Sequence, residues 1–227
     1  MKYFEISNTV YLKKDISSLG IHNNLSRLIN YSMKKREYLK SLHAEKNIKM
    51  YCFDYLYPRE EDRIYKKGRV YVFRLRTPIK KIAEEMSRAI SITENDDIKV
   101  LGSNMMVKRY TPRLQLYTAT PIICTLGKKN WTIEDGMDLL EEKIEKNLVS
   151  KYRLFYEEEP EKTSDFISYI EKKNKKNLVL DYKDGKLLGN KIQLEFNTDD
   201  TSVKMSYLSY TTGLLEKSSS LGTGFCI

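Results

Sequence analysis

Two histidines are the side chains of this sequence that gain and lose a proton most readily at neutral pH. They are His22 and His43, and the 227-residue chain contains no others. An imidazole with an ordinary pKa of about 6.5 can act as a general acid or as a general base near neutrality. A histidine alone in a polar stretch is more commonly a surface residue, so a role for either depends on its structural context.

A segment rich in glycine and serine near the end of the chain is suited to contact phosphate. It reads Gly213-Leu-Leu-Glu-Lys-Ser-Ser-Ser-Leu-Gly-Thr-Gly224 and follows a predicted helix. Backbone N–H groups and hydroxyls in such a loop can bind phosphate oxygens, whereas a flexible connection is the simpler alternative. The glycine spacing matches neither of the two common nucleotide-binding fingerprints.

Metal-ligating patterns are weak in this sequence. The three cysteines are widely spaced and form no Cys-x-x-Cys pair, which indicates neither a zinc site nor a disulfide framework. The acidic stretches at 96–97, 157–159 and 199–200 fall in predicted loops and are explained better by solvated turns than by a Mg²⁺ site. We therefore expect no metal and no cofactor.

Positive charge is concentrated in the first half of the chain. Residues 1–114 contain 24 basic and 13 acidic residues, whereas residues 115–227 contain 16 and 18. A polyanion is the natural partner of such a surface, although surplus lysine on a solvated surface is an equally simple explanation. Four arginines are the best candidates for phosphate contacts, because two share one face of a strand and two flank the middle of the chain: Arg74, Arg76, Arg109 and Arg113.

Hydrophobic periodicity predicts the elements that must position these groups. The first half follows the order strand, helix, strand, strand, helix, strand, and its first helix has an apolar stripe that includes Leu25, Leu28 and Met33. That order is typical of a ferredoxin-like unit, which is also the fold of many RNA-recognition modules.

The second half repeats this order of elements. Its first helix follows a capping box at Thr132-x-x-Asp135, and a strand pair is predicted from 178–182 and 191–196, with turn residues that include Asp184-Gly185. We therefore predict an α+β fold of two tandem ferredoxin-like (RRM-like) βαββαβ domains, residues 1–112 and 113–227, with an RNA-binding cleft between them.

The glycine-rich segment resembles the signature of the Cas-type CRISPR repeat-processing endoribonucleases, in outline G-x-G-E-K-x-S-x-G-F-G. Gly213, Glu216-Lys217, the serines, Leu221-Gly222 and Gly224 are kept, whereas Leu215 replaces a glycine, Thr223 replaces an aromatic residue and one residue is added. The stretch at 120–123 is similar to the strand that opens the second domain in that family. The resemblance implies RNA contacts from Lys217, Ser218, Ser219, Ser220, Gly222 and Gly224.

The same resemblance implies an active site just after the first helix. His43 and Lys49 match the family's histidine and lysine, and Tyr31 stands near its tyrosine, although another alignment brings Asn30 to that position. Histidine would transfer the proton, lysine would hold the phosphate oxygens, and tyrosine would orient the 2′-hydroxyl or act as the acid. His22 is the competing histidine, and a structural role suits it better.

The function implied is metal-independent cleavage of CRISPR repeat RNA, giving a 2′,3′-cyclic phosphate and a 5′-hydroxyl and releasing guide RNAs. One alternative is a non-catalytic RNA-binding subunit of an effector complex with the same fold, and a second is a small-molecule enzyme of the ferredoxin-like class.

The chain lacks an apolar run of membrane-spanning length and a signal peptide at its start, so we expect a cytoplasmic protein. The expected partner is CRISPR repeat RNA. Binding to other Cas effector-complex proteins, or to a second copy in a homodimer, is left open.

Overall fold

The computed structural model describes residues 1–161, 165–182 and 185–227. Its strands are β1 (Lys2–Leu12), β2 (Ile16–Ser17), β3 (Cys52–Phe53), β4 (Ile64–Tyr65), β5 (Val70–Thr77), β6 (Ile98–Arg109), β7 (Gln115–Tyr117), β8 (Thr125–Leu126), β9 (Lys129–Asn130), β10 (Ile167–Lys172), β11 (Leu178–Tyr182), β12 (Gly185–Gly189) and β13 (Ile192–Phe196). Its α-helices are α1 (Ile21–Met33), α2 (Glu37–Ala44), α3 (Lys80–Ser91), α4 (Met137–Tyr156), α5 (Asp200–Thr212) and α6 (Ser218–Leu221), and a 3₁₀ turn covers Ile133–Asp135.

The first half forms an antiparallel sheet in the order β3-β5-β1-β6. Strand β1 alternates because one of its faces packs on helices α1 and α3, with Ile6, Val10 and Leu12 completely buried. The stripe on α1 predicted from Leu25, Leu28 and Met33 lies in the same core. This strand order is that of a ferredoxin-like unit, as predicted.

Strand β6 is continuous through its glycine. Its pairing with β1 shifts register between Thr9, which lies opposite Gly102, and Val10, which lies opposite Val100. The extra residue, Leu101, is a β-bulge, and no hairpin interrupts the strand.

The second half builds a similar sheet in the order β10-β13-β7. The end of the chain adds to it, because the N–H of Tyr117 donates to the carbonyl of Ile227 at 3.0 Å and the carbonyl of Tyr117 accepts from the N–H of Ile227 at 2.8 Å. With helices α4 and α5, this half is also ferredoxin-like, and the predicted fold class is confirmed.

The strand pairing predicted in the second half is wrong. Strand β11 pairs with β12 in a separate hairpin, and β13 pairs instead with β10, which the sequence pattern missed. Asp184 of the predicted turn lies outside the described residues. The hairpin β11–β12 is therefore an insertion between two strands of the sheet.

The two halves share a core. The hydrophobic cluster around α4 and α5 includes Tyr3 and Met50 from the first half. We keep residues 1–112 and 113–227 as proposed domains, with this cluster joining them. No helix within the described residues is long and apolar enough to cross a membrane.

Candidate active site

His43 and Lys49 meet at the end of α2. The ammonium of Lys49 donates a hydrogen bond to the backbone carbonyl of His43 at 3.1 Å. His43 lies in the last turn of α2 and is exposed, whereas Lys49 is half-buried just before β3. The chain between them is therefore closed into a short loop that presents an imidazole and a cation on one surface.

The electrostatics of this surface favour a neutral imidazole. Partial burial lowers the pKa of His43, and the positive charges of Lys49 and Lys34 lower it further. Since the ordinary value is about 6.5, His43 is mostly unprotonated at neutral pH and can accept a proton. Lys34 caps the end of α1 and was not predicted as a site residue.

Tyr31 lies on α1, one turn before Lys34. Its ring is 49% exposed and its centroid is 5.3 Å from the ammonium of Lys35. Tyr31 and Lys34 both line a surface cavity of about 340 Å³ beside α1. Lys34 thus connects Tyr31 to the surface around His43, although the structure records no direct contact between the two predicted residues.

His22 has a structural position. It is 1% exposed, and its Nε2 lies 2.6 Å from the backbone carbonyl of Asp181 in β11. Because a carbonyl can only accept, Nε2 carries the proton and donates it. Burial lowers the pKa of His22, so a neutral imidazole joins α1 to the hairpin.

The glycines of the C-terminal segment serve packing. Gly222 has a φ of +68°, and a Cβ atom placed there would lie 2.6 Å from the ring and the backbone of Phe53. Gly224 has a φ of +66° and packs against Leu214. Only glycine combines this backbone conformation with such a close approach.

Three residues of this segment are unsuited to the RNA contacts expected of them. The N–H groups of Gly222 and Gly224 donate to the carbonyls of Ser218 and Pro121 at 3.2 and 2.8 Å. The hydroxyl of Ser218 is buried and donates to the carbonyl of Leu214 at 3.1 Å. For Ser218, Gly222 and Gly224 the expectation is corrected, since their polar groups are engaged inside the protein.

Lys217, Ser219 and Ser220 remain on the surface. The ammonium of Lys217 lies 4.5 Å from the centroid of the Tyr182 ring, which places it beside the hairpin. Helix α6, which follows Lys217, contacts both α1 and β3. The segment is therefore connected to α1 and to β3, the strand that follows the His43 loop.

Helix α4 holds the start of this segment with two polar side chains. The ammonium of Lys151 is 2% exposed and donates to the carbonyl of Gly213 at 2.5 Å. The side-chain oxygen of Asn147, one turn earlier, accepts from the N–H of Leu215 at 3.1 Å. Burial lowers the pKa of Lys151 to about 8.

Arg76 is the clearest correction among the predicted phosphate contacts. It is 2% exposed, and its guanidinium donates to the carboxylate of Glu5 at 2.7 Å and to the carbonyl of Cys226 at 2.8 Å. The rings of Tyr210 and Phe225 lie 4.1 and 4.3 Å from it. Arg76 therefore joins the two halves and is inaccessible to RNA.

The other three arginines differ in availability. Arg74 donates to the carboxylate of Asp54 at 2.6 Å, and its side chain is 37% exposed. Arg109 is exposed at the end of β6, and Arg113 is exposed with its guanidinium 5.0 Å from the Tyr210 ring. Arg109 and Arg113 are the better placed for phosphate.

The acidic pairs have structural roles. Asp97 is buried and pairs with Arg27 at 2.7 Å and with Lys14 at 2.5 Å, so it is more than a solvated turn residue. Asp199 caps α5 by accepting from the N–H of Ser202 at 3.0 Å. Within residues 1–161, 165–182 and 185–227, no three His, Cys, Asp or Glu side chains cluster in a way that could hold a metal ion.

Fold and site together define a class: a tandem ferredoxin-like protein with a C-terminal glycine-rich segment packed against α1 and β3, and a separate surface that carries His43 and Lys49. The family model described as "CRISPR associated protein Cas6, C-terminal" matches residues 104–226. That is more than half of the chain, so the protein belongs to the Cas6 family, and the resemblance stated from the sequence is confirmed.

Solved structures are similar in fold at low sequence identity. "An RAMP protein binding different RNA substrates" has a TM-score of 0.76 and 14% identity, and the match covers 98% of both chains. "Characterization of a Cas6-related gene from Pyrococcus furiosus" has a TM-score of 0.71 and 14% identity, and "CRISPR associated protein Cas6" has a TM-score of 0.68 and 16% identity. Each match covers 99% of this chain and 98% of the other. No curated protein matches at a significant level.

Proposed function

We propose that this Cas6-family chain is a metal-independent endoribonuclease that binds CRISPR repeat RNA and cleaves it once per repeat, releasing guide RNAs. The observation that carries the proposal is the surface around His43. There partial burial lowers the pKa of the His43 imidazole, and the charges of Lys49 and Lys34 lower it further. An imidazole that is free to accept a proton beside two cations suits an in-line attack on a phosphodiester.

The proposed reaction uses the 2′-hydroxyl of the RNA as the nucleophile. His43 removes its proton, the oxygen attacks the adjacent phosphorus, and the bond from phosphorus to the 5′-oxygen breaks. Tyr31 protonates the departing 5′-oxygen, or it orients the 2′-hydroxyl while a water molecule supplies that proton, and Lys49 and Lys34 neutralise charge on the non-bridging oxygens. The products are a 2′,3′-cyclic phosphate and a 5′-hydroxyl.

We assign RNA binding to the cleft between the halves and to polar groups that are exposed or half-buried on the surface. The groups proposed for phosphate contacts are Arg109, Arg113, Lys217, Ser219 and Ser220, with Arg74 partly available. Each phosphate that a cation neutralises releases counterions and strengthens binding at low salt.

The proposed setting is the cytoplasm, with CRISPR repeat RNA as the partner. Other Cas effector-complex proteins and a second copy of the chain are further proposed partners.

A non-catalytic RNA-binding subunit is the second candidate. One structure of the same fold is titled for binding different RNA substrates. In this chain, moreover, His43 is exposed, and its imidazole makes no hydrogen bond to any residue that the structure describes. A catalytic imidazole is usually oriented by a further side chain, which favours this candidate.

Incubation with repeat RNA in EDTA separates the two. The enzyme should cleave the RNA and leave a 2′,3′-cyclic phosphate, and His43→Ala should bind the same RNA without cleaving it. Lys46→Ala, an exposed residue of the same loop, is the matched control and should cleave normally. Wild-type protein that binds every repeat but leaves it intact would establish the binding subunit.

A further inference from the structure

A cavity of about 400 Å³ opens between the two halves of the chain. Its size is in the range of small-ligand sites. The first half contributes Tyr55 and its neighbours before β4, and the second half contributes Pro121 and the strand β11. It shares no lining residue with the surface cavity beside Tyr31 and Lys34.

The hairpin β11–β12 is fixed over one side of this cavity. The carbonyl of Asp181 accepts hydrogen bonds from Nε2 of His22 at 2.6 Å and from the side-chain amide of Asn23 at 2.8 Å. These bonds hold Leu178 and Leu180 in the cavity wall. The apolar wall is therefore preformed by contacts between the hairpin and the start of α1.

The charged residues of the lining are mainly cationic. Arg59, Arg63 and Lys191 face Glu60 and Glu61. The carboxylate of Glu60 is already engaged, since it accepts from Arg69 at 3.1 Å and from the hydroxyl of Tyr71. The remaining carboxylate, that of Glu61, is exposed and has no ion-pair partner within the part of the chain that the structure describes. The three cationic side chains of the lining therefore outnumber it.

Two of these cations lie near each other without a compensating acid. The guanidinium of Arg59 donates to the backbone carbonyl of Ala119 at 3.2 Å, and no carboxylate of the described residues pairs with it. Burial lowers the pKa of Lys191, and the charge of Arg59 lowers it further. An anion between the two side chains would raise the pKa of Lys191 again, because a nearby negative charge stabilises the ammonium.

Tyr55 supplies an aromatic surface and an orphan polar atom. Its ring lines the cavity, with its centroid 6.1 Å from that of His22. Its hydroxyl is buried without a hydrogen-bond partner, one of two such side-chain atoms among the described residues. Buried hydroxyls in folded proteins rarely lack a hydrogen-bond partner. A bound ligand would explain why the hydroxyl of Tyr55 lacks one among the described residues.

We propose that this cavity binds one nucleoside phosphate, with the base against Tyr55 and the apolar wall and the phosphate between Arg59 and Lys191. The nucleoside phosphate has two sources: an unstacked nucleotide of bound RNA, or a free nucleotide. The RNA source rests on the proposed function, whereas the free nucleotide does not.

The first experiment tests the RNA source in a His43→Ala chain, so that the RNA stays intact. Repeat RNA is made with a single abasic site at each position in turn, and its affinity is measured by fluorescence anisotropy. One position should lose affinity roughly tenfold, because base-aromatic stacking has about that effect. The loss should disappear when Tyr55→Leu is added, and it should persist with the exposed control Tyr169→Leu.

The second experiment tests the free nucleotide with adenosine and uridine 5′-monophosphates by saturation-transfer NMR. Binding should be seen with the wild-type chain, be lost in Lys191→Gln, and remain in Lys128→Gln, an exposed lysine that does not line the cavity. Thermal unfolding of Tyr55→Leu and Lys191→Gln checks that both variants fold. A folded Tyr55→Leu variant that leaves every abasic effect unchanged, together with no nucleotide binding, overturns the proposal.

The outcomes separate this inference from the proposed function. If the wild-type chain cleaves repeat RNA and both cavity experiments are negative, the cleavage function stands and the cavity is not a nucleotide site. If the chain neither binds nor cleaves repeat RNA but binds a free nucleotide through Lys191, the proposed function fails and the cavity site stands.

Discussion

Replacing Lys151 with methionine should remove a pH-dependent part of the folding free energy. The ammonium of Lys151 is buried against the carbonyl of Gly213, and burial lowers its pKa from 10.5 to about 8. Between these pH values the unfolded chain holds a proton that the folded chain has released, so stability rises with pH. One pKa unit between the unfolded and the folded chain corresponds to 1.36 kcal/mol of folding free energy, which gives about 3 kcal/mol over the whole interval.

The measurement is urea unfolding of the wild-type chain and of Lys151→Met across this pH range. Trp131 is the single tryptophan of the chain and is 1% exposed, so its fluorescence reports unfolding. The difference in unfolding free energy, wild type minus variant, should increase by about 3 kcal/mol between pH 8 and pH 10.5. The buried cysteines and tyrosines titrate in both proteins, and the subtraction removes their contribution to first order.

Lys146→Met is the matched control on the same helix. Its side chain is 67% exposed and pairs with Glu142, so no comparable slope is expected. A flat difference for Lys151→Met over the same interval would refute the reasoning. It would mean that the ammonium of Lys151 is hydrated and does not depend on the buried hydrogen bond to the carbonyl of Gly213.

Three further perturbations test other parts of the structure. Gly222→Ala should lower the unfolding free energy by about 1–3 kcal/mol, because its φ is positive and Phe53 leaves no room for a Cβ; an unchanged urea midpoint would contradict this. Arg76→Met should lower it by about 3 kcal/mol, because buried Glu5 would keep only Lys108 as a partner and the carbonyl of Cys226 would lose its donor, whereas exposed Arg153→Met should change it by less than about 1 kcal/mol. Arg113→Gln should weaken RNA binding equally for all sequences and reduce the slope of log Kd against log salt by about one; an unchanged slope would exclude the phosphate contact.

The fold was predictable because its elements repeat short-range patterns. The stripe on α1 and the alternation of β1 follow from the requirement to bury apolar side chains on one face. The capping box at Thr132 and Asp135 forms as its local spacing predicts. Such features depend on near neighbours in the chain, which the sequence displays directly.

Strand partners were harder to predict. Residues 178–182 have a strand pattern but pair within a local hairpin, and β10 joins the sheet instead. Alternation shows that a segment is a strand but contains no information on which strand lies beside it. The pairing error therefore reflects long-range packing.

The roles of individual residues were also hard to predict, because they depend on burial, which long-range packing decides. Arg76 and Arg74 share a strand face, yet only Arg76 is sealed between the halves, beneath Tyr210 and Phe225. The glycine-rich segment was singled out correctly as a feature, but Gly222 and Gly224 serve close packing. Lys151 gave no sequence signal, because a lysine on an amphipathic helix is ordinarily on its exposed face.

The most direct test of the central claim is the pH dependence of kcat/KM for repeat-RNA cleavage in EDTA. Wild-type activity should rise with pH through an apparent pKa below 6.5 and level off near neutrality, because partial burial and then the charges of Lys49 and Lys34 lower the pKa of His43. His43→Ala should cleave at least about 100-fold more slowly and lose this titration. Cleavage by His43→Ala at the wild-type rate, with the same pH profile, would contradict the assignment of His43 as the base.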